Sequence, residues 1–504
     1  MRYIDLFIDR ITMYRLLLYY LLLLTGSAIL FSALGWLSYN PYSILFTASY
    51  LVLSCFVINY LFAKAFNAPT NRESSVLTGL ILSLIITPAS SFKEVAFFTI
   101  AAGLAVSSKY ILAIRNKHIF NPAAVAVVLT ALGSQEGASW WVGSTALAPL
   151  VIIGGLLMTR KIRRFGMVIT FIVTAVLSTT LLVWISGRDA GMALQNTLLH
   201  SSLFFLAFVM LTEPWTSPTT NSKRIVYAIV VGILFTPAFH IGNTYSTPEL
   251  ALIIGNIFAF VVTPMVKTRL HLKSRHKFGK HTEDVELVPE RPFTYKPGQY
   301  VELTLPHPSA DSRGLRRYLT IASSPTEDTV RFGIRYHDPS STFKQYLRTA
   351  DDDLFISAGQ LGGDFTLPKD KKLKLAFIAG GIGITPFRSM VKYLSDTNDN
   401  RSVKLLYGER IPNDIAYTET FEEARRKVRV DTTYVINEIT SLSSPHIKPG
   451  HINTEMVKTL IPDYLERIFY VSGPQPMVLD IKENLRDLGV PSSHIKVDHF
   501  FGYA

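Results

Sequence analysis

The sequence predicts an α-helical membrane domain of about ten transmembrane segments, followed by a small antiparallel β-barrel and an α/β doubly wound domain. Charge distribution is the first reason. Only 17% of the 504 residues are charged, against roughly 25% in soluble domains. The deficit lies in residues 1–270, which hold 18 Lys/Arg and 8 Asp/Glu, while residues 271–504 hold 32 and 30. The second reason is a series of long apolar runs confined to that first half. The third is a change of pattern near His271, to short alternating strands and then to strand–helix alternation. The predicted domains are therefore 1–270, 271–370 and 371–504. The first carries +10 of the net +12, spread between apolar runs rather than gathered in a groove, so no nucleic acid partner is expected. The single cysteine, Cys55, excludes an internal disulfide, and an all-cysteine iron–sulfur or zinc site built by this chain alone. No metal site is predicted.

The apolar runs lie at 16–36, 41–63, 75–87, 95–108, 121–133, 140–158, 165–186, 193–211, 224–240 and 249–266. Arg2, Arg10 and Arg15 precede the first as in a signal peptide, but Leu16–Leu37 is long for one and a second run follows at once. It is expected to stay as an anchor. If every run crosses, one set of loops holds sixteen Lys/Arg and the other only Lys93 and Arg188. The positive-inside bias then predicts a multi-pass protein of the plasma (inner) membrane, with the N-terminus and the C-terminal domains cytoplasmic. The third to fifth runs are short. One ends at Thr87-Pro88 and another starts at Asn121-Pro122, where Asn suits a cap and Pro the first helical turn. Such interrupted helices are expected to line a cavity with their ends. Glu94, Glu213 and Glu249 lie at segment ends, as do His118, His200 and His240, so neither an ion pump of its own nor a bis-histidine haem is favoured.

Past a basic connector, Lys267–Lys280, the residues after the Pro297-Gly298 turn alternate through Gln299–Leu305, and Val330–Tyr336 does the same. Such strands between 280 and 367 fit the barrel. A buried-strand run, Leu373–Ala379, leads into Gly380-Gly381-Ile382-Gly383-Ile384-Thr385-Pro386 and a helix. Glycines there let a ligand approach the backbone, and the helix start offers N–H groups to a pyrophosphate. Strands at Val403–Tyr407, Val428–Val435 and Ile468–Ser472 complete a wound sheet, the last entering Gly473-Pro474-Gln475-Pro476-Met477.

Arg317-Tyr318-Leu319-Thr320, the Gly380–Pro386 turn, Ser472-Gly473-Pro474-x-x-Met477 and the tail Asp498-His499-Phe500-Phe501 occur in this order, and through them residues 277–504 resemble the ferredoxin–NADP reductase superfamily. The resemblance implies FAD on the barrel and NAD(P)H on the wound sheet. It implies that Arg317 neutralises the FAD pyrophosphate, that Thr320 bonds near flavin N5, and that Ser341, Thr342, Gly362 and Gly363 approach the FAD phosphates and ring edge. Phe500 or Phe501 would cover the flavin face. Gly380, Gly381, Gly383, Thr385, Pro386, Gly473, Pro474 and Met477 would hold the nucleotide, and Thr320, Ser472 and Asp498 form the implied catalytic group. Leu319 stands where the motif has an aromatic, next to Tyr318, and Ser472 where a Cys is common. After Val403–Tyr407, Glu409 suits a ribose 2′-hydroxyl and Arg410 a 2′-phosphate, with NADH slightly preferred.

Phe120-Asn121-Pro122-Ala123-Ala124 and Thr212-Glu213-Pro214-Trp215-Thr216-Ser217-Pro218 resemble the family of multi-span membrane proteins shared by the sodium-translocating NADH:quinone oxidoreductase and the Rnf complex. This implies electron transfer through a membrane-embedded flavin. Gly143-Ser144-Thr145-Ala146 replaces the family's covalent-flavin motif, with Thr145 as the candidate attachment point. The two resemblances together imply a membrane-bound NAD(P)H-dependent flavin oxidoreductase with FAD and a second flavin, FMN or riboflavin. Electrons would pass to quinone, an external acceptor or a redox partner protein. The expected second-flavin site lies where Asn121 meets the Thr212–Pro218 break, with Thr212, Thr216 and Ser217 as donors. The alternatives are a transporter or channel with a regulatory redox domain, and a haem-type ferric-reductase-like enzyme.

Overall fold

The computed structural model describes residues 8, 11–66, 72–114, 117–134, 137–237, 239–241, 244–263, 265–308, 310–311, 314–336, 338, 340–350, 354–438 and 446–500. They fall in two compact units, Met1–Thr263 and Pro264–Ala504.

The first unit is helical. Its helices are α1 (Met13–Ala33), α2 (Pro41–Ala65), α3 (Arg72–Ile85), α4 (Val95–Ile111), α5 (Pro122–Ser134), α6 (Ala148–Ile162), α7 (Phe165–Ile185), α8 (Ala190–Leu199), α9 (Asn221–Leu234) and α10 (Pro248–Val262). Each predicted apolar run contains helix. Among the described residues, α1, α2 and α7 are long and apolar enough to cross a membrane, and α8 with Leu203–Met210, bent by 53°, makes a fourth if counted as one span. Helix length therefore supports three or four crossings. The 13-residue α5 is only ~20 Å long at ~1.5 Å per residue, short of a ~30 Å hydrocarbon core.

The short helices have identifiable stops. Pro88 prevents α3 from continuing, and its last carbonyl, Ile85, accepts the Ser139 and Trp140 N–H groups at 2.8 and 2.9 Å. The Asn121 side chain accepts from the Ala124 N–H at 3.1 Å, the cap expected from Asn-Pro. Leu206–Met210 is a π-turn, closed by the Leu211 N–H on the Leu206 carbonyl at 2.9 Å. It is wholly buried. Gly155 of α6 makes room there, since a Cβ would lie 2.2 Å from the Phe208 ring.

The second unit opens on a curled six-stranded antiparallel sheet: β1 (Met265–Phe278), β2 (Thr282–Pro289), β3 (Tyr300–Thr304), β4 (Arg316–Thr320), β5 (Val330–Arg335) and β6 (Phe355–Gly362), in spatial order β4-β3-β6-β1-β2-β5. It is a half-barrel rather than a closed one. Its edges approach where the Ala322 N–H donates to the Arg331 carbonyl at 2.8 Å. The stretch expected to be a connector is strand β1. Val266, Thr268 and Leu270 are buried and alternate with the basic residues that disguise the period.

A parallel sheet follows: β7 (Lys374–Gly380), β8 (Val403–Glu409), β9 (Val430–Ile436), β10 (Ile447–Pro449), β11 (Arg467–Pro474) and β12 (Ile495–Phe500), ordered β10-β9-β8-β7-β11-β12. The short helix α11 (Thr342–Thr349) belongs to the half-barrel. Helices α12 (Thr385–Asp396) and α13 (Thr418–Lys427) pack on one face of the parallel sheet, α14 (Thr454–Leu460) and α15 (Gln475–Asp487) on the other. Phe377, Phe387 and Phe421 fill one side of the wound sheet, as a parallel sheet buried on both faces requires.

At the opposite end from the glycine turns, Asp463 accepts from Arg467 at 2.6 and 2.9 Å and from Lys374 at 3.1 Å. Those cations hold its carboxyl at about 2, below its usual 3.8. The folded-state value is depressed, so the associated stabilisation is present above about pH 4 and lost as the pH falls towards about 2. The difference in urea-unfolding stability between wild type and Asp463→Asn should shrink over that window. A difference independent of pH would contradict the assignment.

Candidate active site

The parallel sheet reverses its strand order between β7 and β11, since β8 lies on one side of β7 and β11 on the other. Ligands of open α/β sheets bind outside the carboxyl ends of strands at such a point. Both glycine turns stand there. Gly473 faces Gly380 so closely that a Cβ on it would lie 3.0 Å from the Gly380 carbonyl. A Cβ on Gly380 would meet Met477 Sδ at 2.2 Å, with Pro474 at 3.3 Å. Gly381 has φ +54°, and a Cβ there would meet Arg335 Nη1 at 2.6 Å. Thr385 and Pro386 open α12, the Thr385 hydroxyl donating to the Ile382 carbonyl at 3.2 Å. Gly383 has a different neighbour from the one expected. Its Cβ would strike the Ser472 carbonyl at 2.4 Å, so the lack of a side chain here admits strand β11.

Ser472 is fully buried, and among the described residues its hydroxyl has no hydrogen-bond partner. An orphaned buried hydroxyl is costly, and a ligand group at this crevice would relieve it. Asp498 stands in register beside Ser472, and the Phe500 backbone beside Pro474. The Phe500 side chain and the whole of Phe501 lie outside the described residues, so the expected aromatic cover does too.

On the curled sheet, Thr320 lies opposite Tyr300, which in turn lies opposite Gly362. Gly363 has φ +107° and a Cβ there would press on the Tyr300 ring at 3.1 Å. Tyr318 shares this face, half exposed, with its ring edge-on to Tyr300 at 5.6 Å and its hydroxyl donating to Glu302 at 2.7 Å. Leu319 points the other way and packs on the half-barrel core. An aromatic platform is therefore available beside Thr320, supplied by Tyr318 and Tyr300 and not by Leu319. Strand alternation decides which neighbour can stack.

Arg317 is buried, 5.2 Å from the Phe343 ring, and donates to the Gly314 and Arg316 carbonyls at 3.0 and 2.6 Å. Its Nη2 lies 3.5 Å from Asp311 Oδ1. The other Asp311 oxygen accepts the Thr342 N–H at 3.2 Å, at the start of α11, which Ser341 caps through the Lys344 N–H at 3.3 Å. Arg317 and Thr342 thus meet around one carboxylate, with Ser341 capping the helix beside them. A guanidinium and a helix start sharing an anion form the donor set a phosphate needs. Asp311 was not legible from the sequence, because its loop carries no pattern.

Glu409 and Arg410 separate. Glu409 is buried, 3.5 Å from Arg335 of β5, and burial pushes its carboxyl above the usual range. Arg410 is exposed and pairs with Glu438 at 2.6 Å.

In the helical unit, Asn121 and the Thr212–Pro218 segment do converge. The Asn121 amide donates to Glu213 at 2.9 Å, and its N–H donates to Asn256, which itself donates to the Thr216 carbonyl. The hydroxyls are engaged locally: Thr212 donates to the Phe208 carbonyl at 2.7 Å and Thr216 to Glu213 at 3.2 Å. His118 stacks on Trp215 and bonds Glu213 at 3.2 Å. Thr145 is not part of this cluster. It is exposed in the turn between Trp141–Gly143 and α6, past the far end of α5. Nearby, Trp140 has φ +51° and donates to the buried Glu249 at 3.1 Å, and the buried Ser144 hydroxyl has no partner among the described residues.

Comparison with known proteins agrees with both halves of this description. Residues 130–271 match the NQR2, RnfD, RnfE family, and residues 377–483 match the oxidoreductase NAD-binding domain. The reductase component of propane 2-monooxygenase from Rhodococcus jostii is 28% identical over 47% of this chain and 64% of its own length. A glycine betaine monooxygenase reductase subunit from Chromohalobacter salexigens is 30% identical over 41% of this chain and 56% of its own. The chain spans about three-fifths of the length of these relatives. The crystal structure of the Amycolatopsis cytochrome P450 reductase GcoB superposes with a TM-score of 0.43 at 21% identity, over 47% of this chain and 71% of that one. In this chain a segment matching the NQR2, RnfD, RnfE family is followed, beyond residues 272–376, by an oxidoreductase NAD-binding domain, and the relatives of the C-terminal half are reductase components and flavohemoproteins.

Proposed function

We propose that the protein is a membrane-bound NAD(P)H-dependent flavin oxidoreductase that passes electrons from its C-terminal unit to the membrane-type unit, and on to quinone, an external acceptor or a redox partner. The observation that carries it is the meeting of two glycine turns at the switch point of the wound sheet, next to the orphaned Ser472 hydroxyl. FAD held on the half-barrel would supply a hydride acceptor able to pass electrons on one at a time. The chain's own residues supply the rest. Arg317, Ser341 and Thr342 hold the flavin phosphates. Thr320 donates near the ring, and Tyr318 and Tyr300 offer aromatic faces beside it. The close approach of Gly380 and Gly473 lets a pyrophosphate lie on backbone, and the Ser472 hydroxyl meets the nicotinamide end with Asp498 behind it. The domain limits 1–270, 271–370 and 371–504, ten crossings, and a cytoplasmic N-terminus and C-terminal unit belong to this reading, supported by sixteen loop cations against two.

A second flavin, FMN or riboflavin, completes the path. A cytoplasmic FAD and an acceptor across ~30 Å of hydrocarbon are too far apart for one electron step. Asn121, Thr212 and Thr216 mark one candidate site and Thr145 the other. At the first, Glu213 already takes the donors of Asn121 and Thr216. Purified full-length protein should carry two flavins, acid-released and covalent fractions counted together, and lose one on truncation of residues 1–270. A single flavin in active, fully loaded protein that reduces quinone at the inner face would remove the second site. A Soret band would favour the haem-type alternative, and colourless protein the transporter.

A further inference from the structure

We infer that Glu438 makes the nucleotide site selective for NADH, by holding Arg410 and by repelling a 2′-phosphate; the inference rests on the nucleotide reading of the two glycine turns. Strands β8 and β9 are neighbours, and their pairing continues past their ends. The Asn437 N–H donates to the Glu409 carbonyl at 3.2 Å, and the Glu438 N–H to the Arg410 carbonyl at 2.9 Å. This carries the Arg410 and Glu438 side chains beyond the carboxyl edge of the sheet, where ligands of such folds lie. Arg410 Nε donates to Glu438 Oε1 at 2.6 Å, with the two side chains 72% and 54% exposed. From the Gly380 turn on β7 to the end of β9 is two strand spacings, ~10 Å. A dinucleotide whose pyrophosphate lay on the turn would extend its adenosine along this edge.

The neighbouring acids at this edge are occupied. Glu409 and Asp414 are buried against Arg335, at 3.5 and 3.9 Å. Glu438, by contrast, faces solvent. It can accept from ribose hydroxyls, whereas a 2′-phosphate would meet like charge. Arg410, the cation suited to that phosphate, is already paired with it. The pair is exposed, so its effect should weaken with salt.

The test uses the full-length protein in detergent, with kcat/KM for NADH and NADPH measured on ferricyanide. Binding of 5′-AMP and 2′-phospho-AMP is measured alongside by calorimetry. Wild type should prefer NADH. Glu438→Gln should raise the NADPH/NADH ratio at least about tenfold, chiefly through a lower KM for NADPH, and favour 2′-phospho-AMP over 5′-AMP to a similar degree. Adding Arg410→Ala should return the ratio towards wild type, and high salt should shrink the gain. A wild-type preference for NADPH, or a ratio unchanged in Glu438→Gln while NADH is still oxidised, would overturn the inference alone. If neither coenzyme is oxidised and neither nucleotide binds, the nucleotide reading fails, and this inference with it.

Discussion

Arg317→Ala should purify with less than about a tenth of the wild-type FAD, because two charge-assisted hydrogen bonds at ~1.5–3 kcal/mol each are lost from a buried anion site. Even the lower end of that range corresponds to a hundredfold weaker binding at ~1.4 kcal/mol per tenfold. The geometry adds a second penalty. Without the guanidinium, Asp311 remains at the start of α11, its carboxylate on the Thr342 N–H, and a diphosphate arriving there would meet like charge. Arg317 also ties down the Gly314 and Arg316 carbonyls, so Arg317→Lys serves as the control for folding. Lysine keeps the charge but loses the fork, and should restore part of the flavin content. The readout is acid-released FAD per polypeptide, separated from FMN and riboflavin by chromatography, with thermal unfolding followed in parallel. Stoichiometric FAD in Arg317→Ala would show that the phosphates are held elsewhere.

How much of this was legible in the sequence depends on whether a feature is local. The glycine turns, the Asn121 cap and the alternation of β3 and β5 are local patterns, and each occurs where the pattern put it. The β1 strand was hidden because charged residues on its outer face masked the buried Val266, Thr268 and Leu270. Leu319 and Tyr318 could be assigned to faces only once Thr320 was seen opposite Tyr300. Asp311, Arg335 and Glu438 depend on which strands and loops become neighbours. Glu438 follows β9 by two residues, and only the β8–β9 pairing brings it to Arg410. The convergence of Asn121 with Thr212–Pro218 was legible because both are breaks in apolar runs, and backbone groups freed by a break in a membrane helix must find partners in protein. The acid that takes those partners, Glu213, could not be assigned that role from sequence.

Gly383→Val should keep FAD and lose NAD(P)H oxidation by at least about a hundredfold. On sequence grounds the substitution looks like a side chain placed in the path of a pyrophosphate. The structure gives another cause. The added Cβ would lie 2.4 Å from the Ser472 carbonyl and 2.5 Å from Gly473 Cα, distances that backbone atoms cannot accommodate without moving. The turn must lift from β11, and overpacking of this kind costs ~1–3 kcal/mol. Lifting it separates Gly380 from Gly473 and displaces the orphaned Ser472 hydroxyl, so the nucleotide site is lost by distortion rather than by occlusion. The two causes predict different results. Occlusion leaves thermal stability at the wild-type value, while distortion lowers the unfolding temperature by several degrees, about 2–4 °C per kcal/mol for a unit of this size. FAD should stay bound in either case, because Arg317, Ser341 and Thr342 sit on the half-barrel, away from the turn. Full NAD(P)H oxidation in a stable Gly383→Val protein would mean that the nucleotide does not use this crevice.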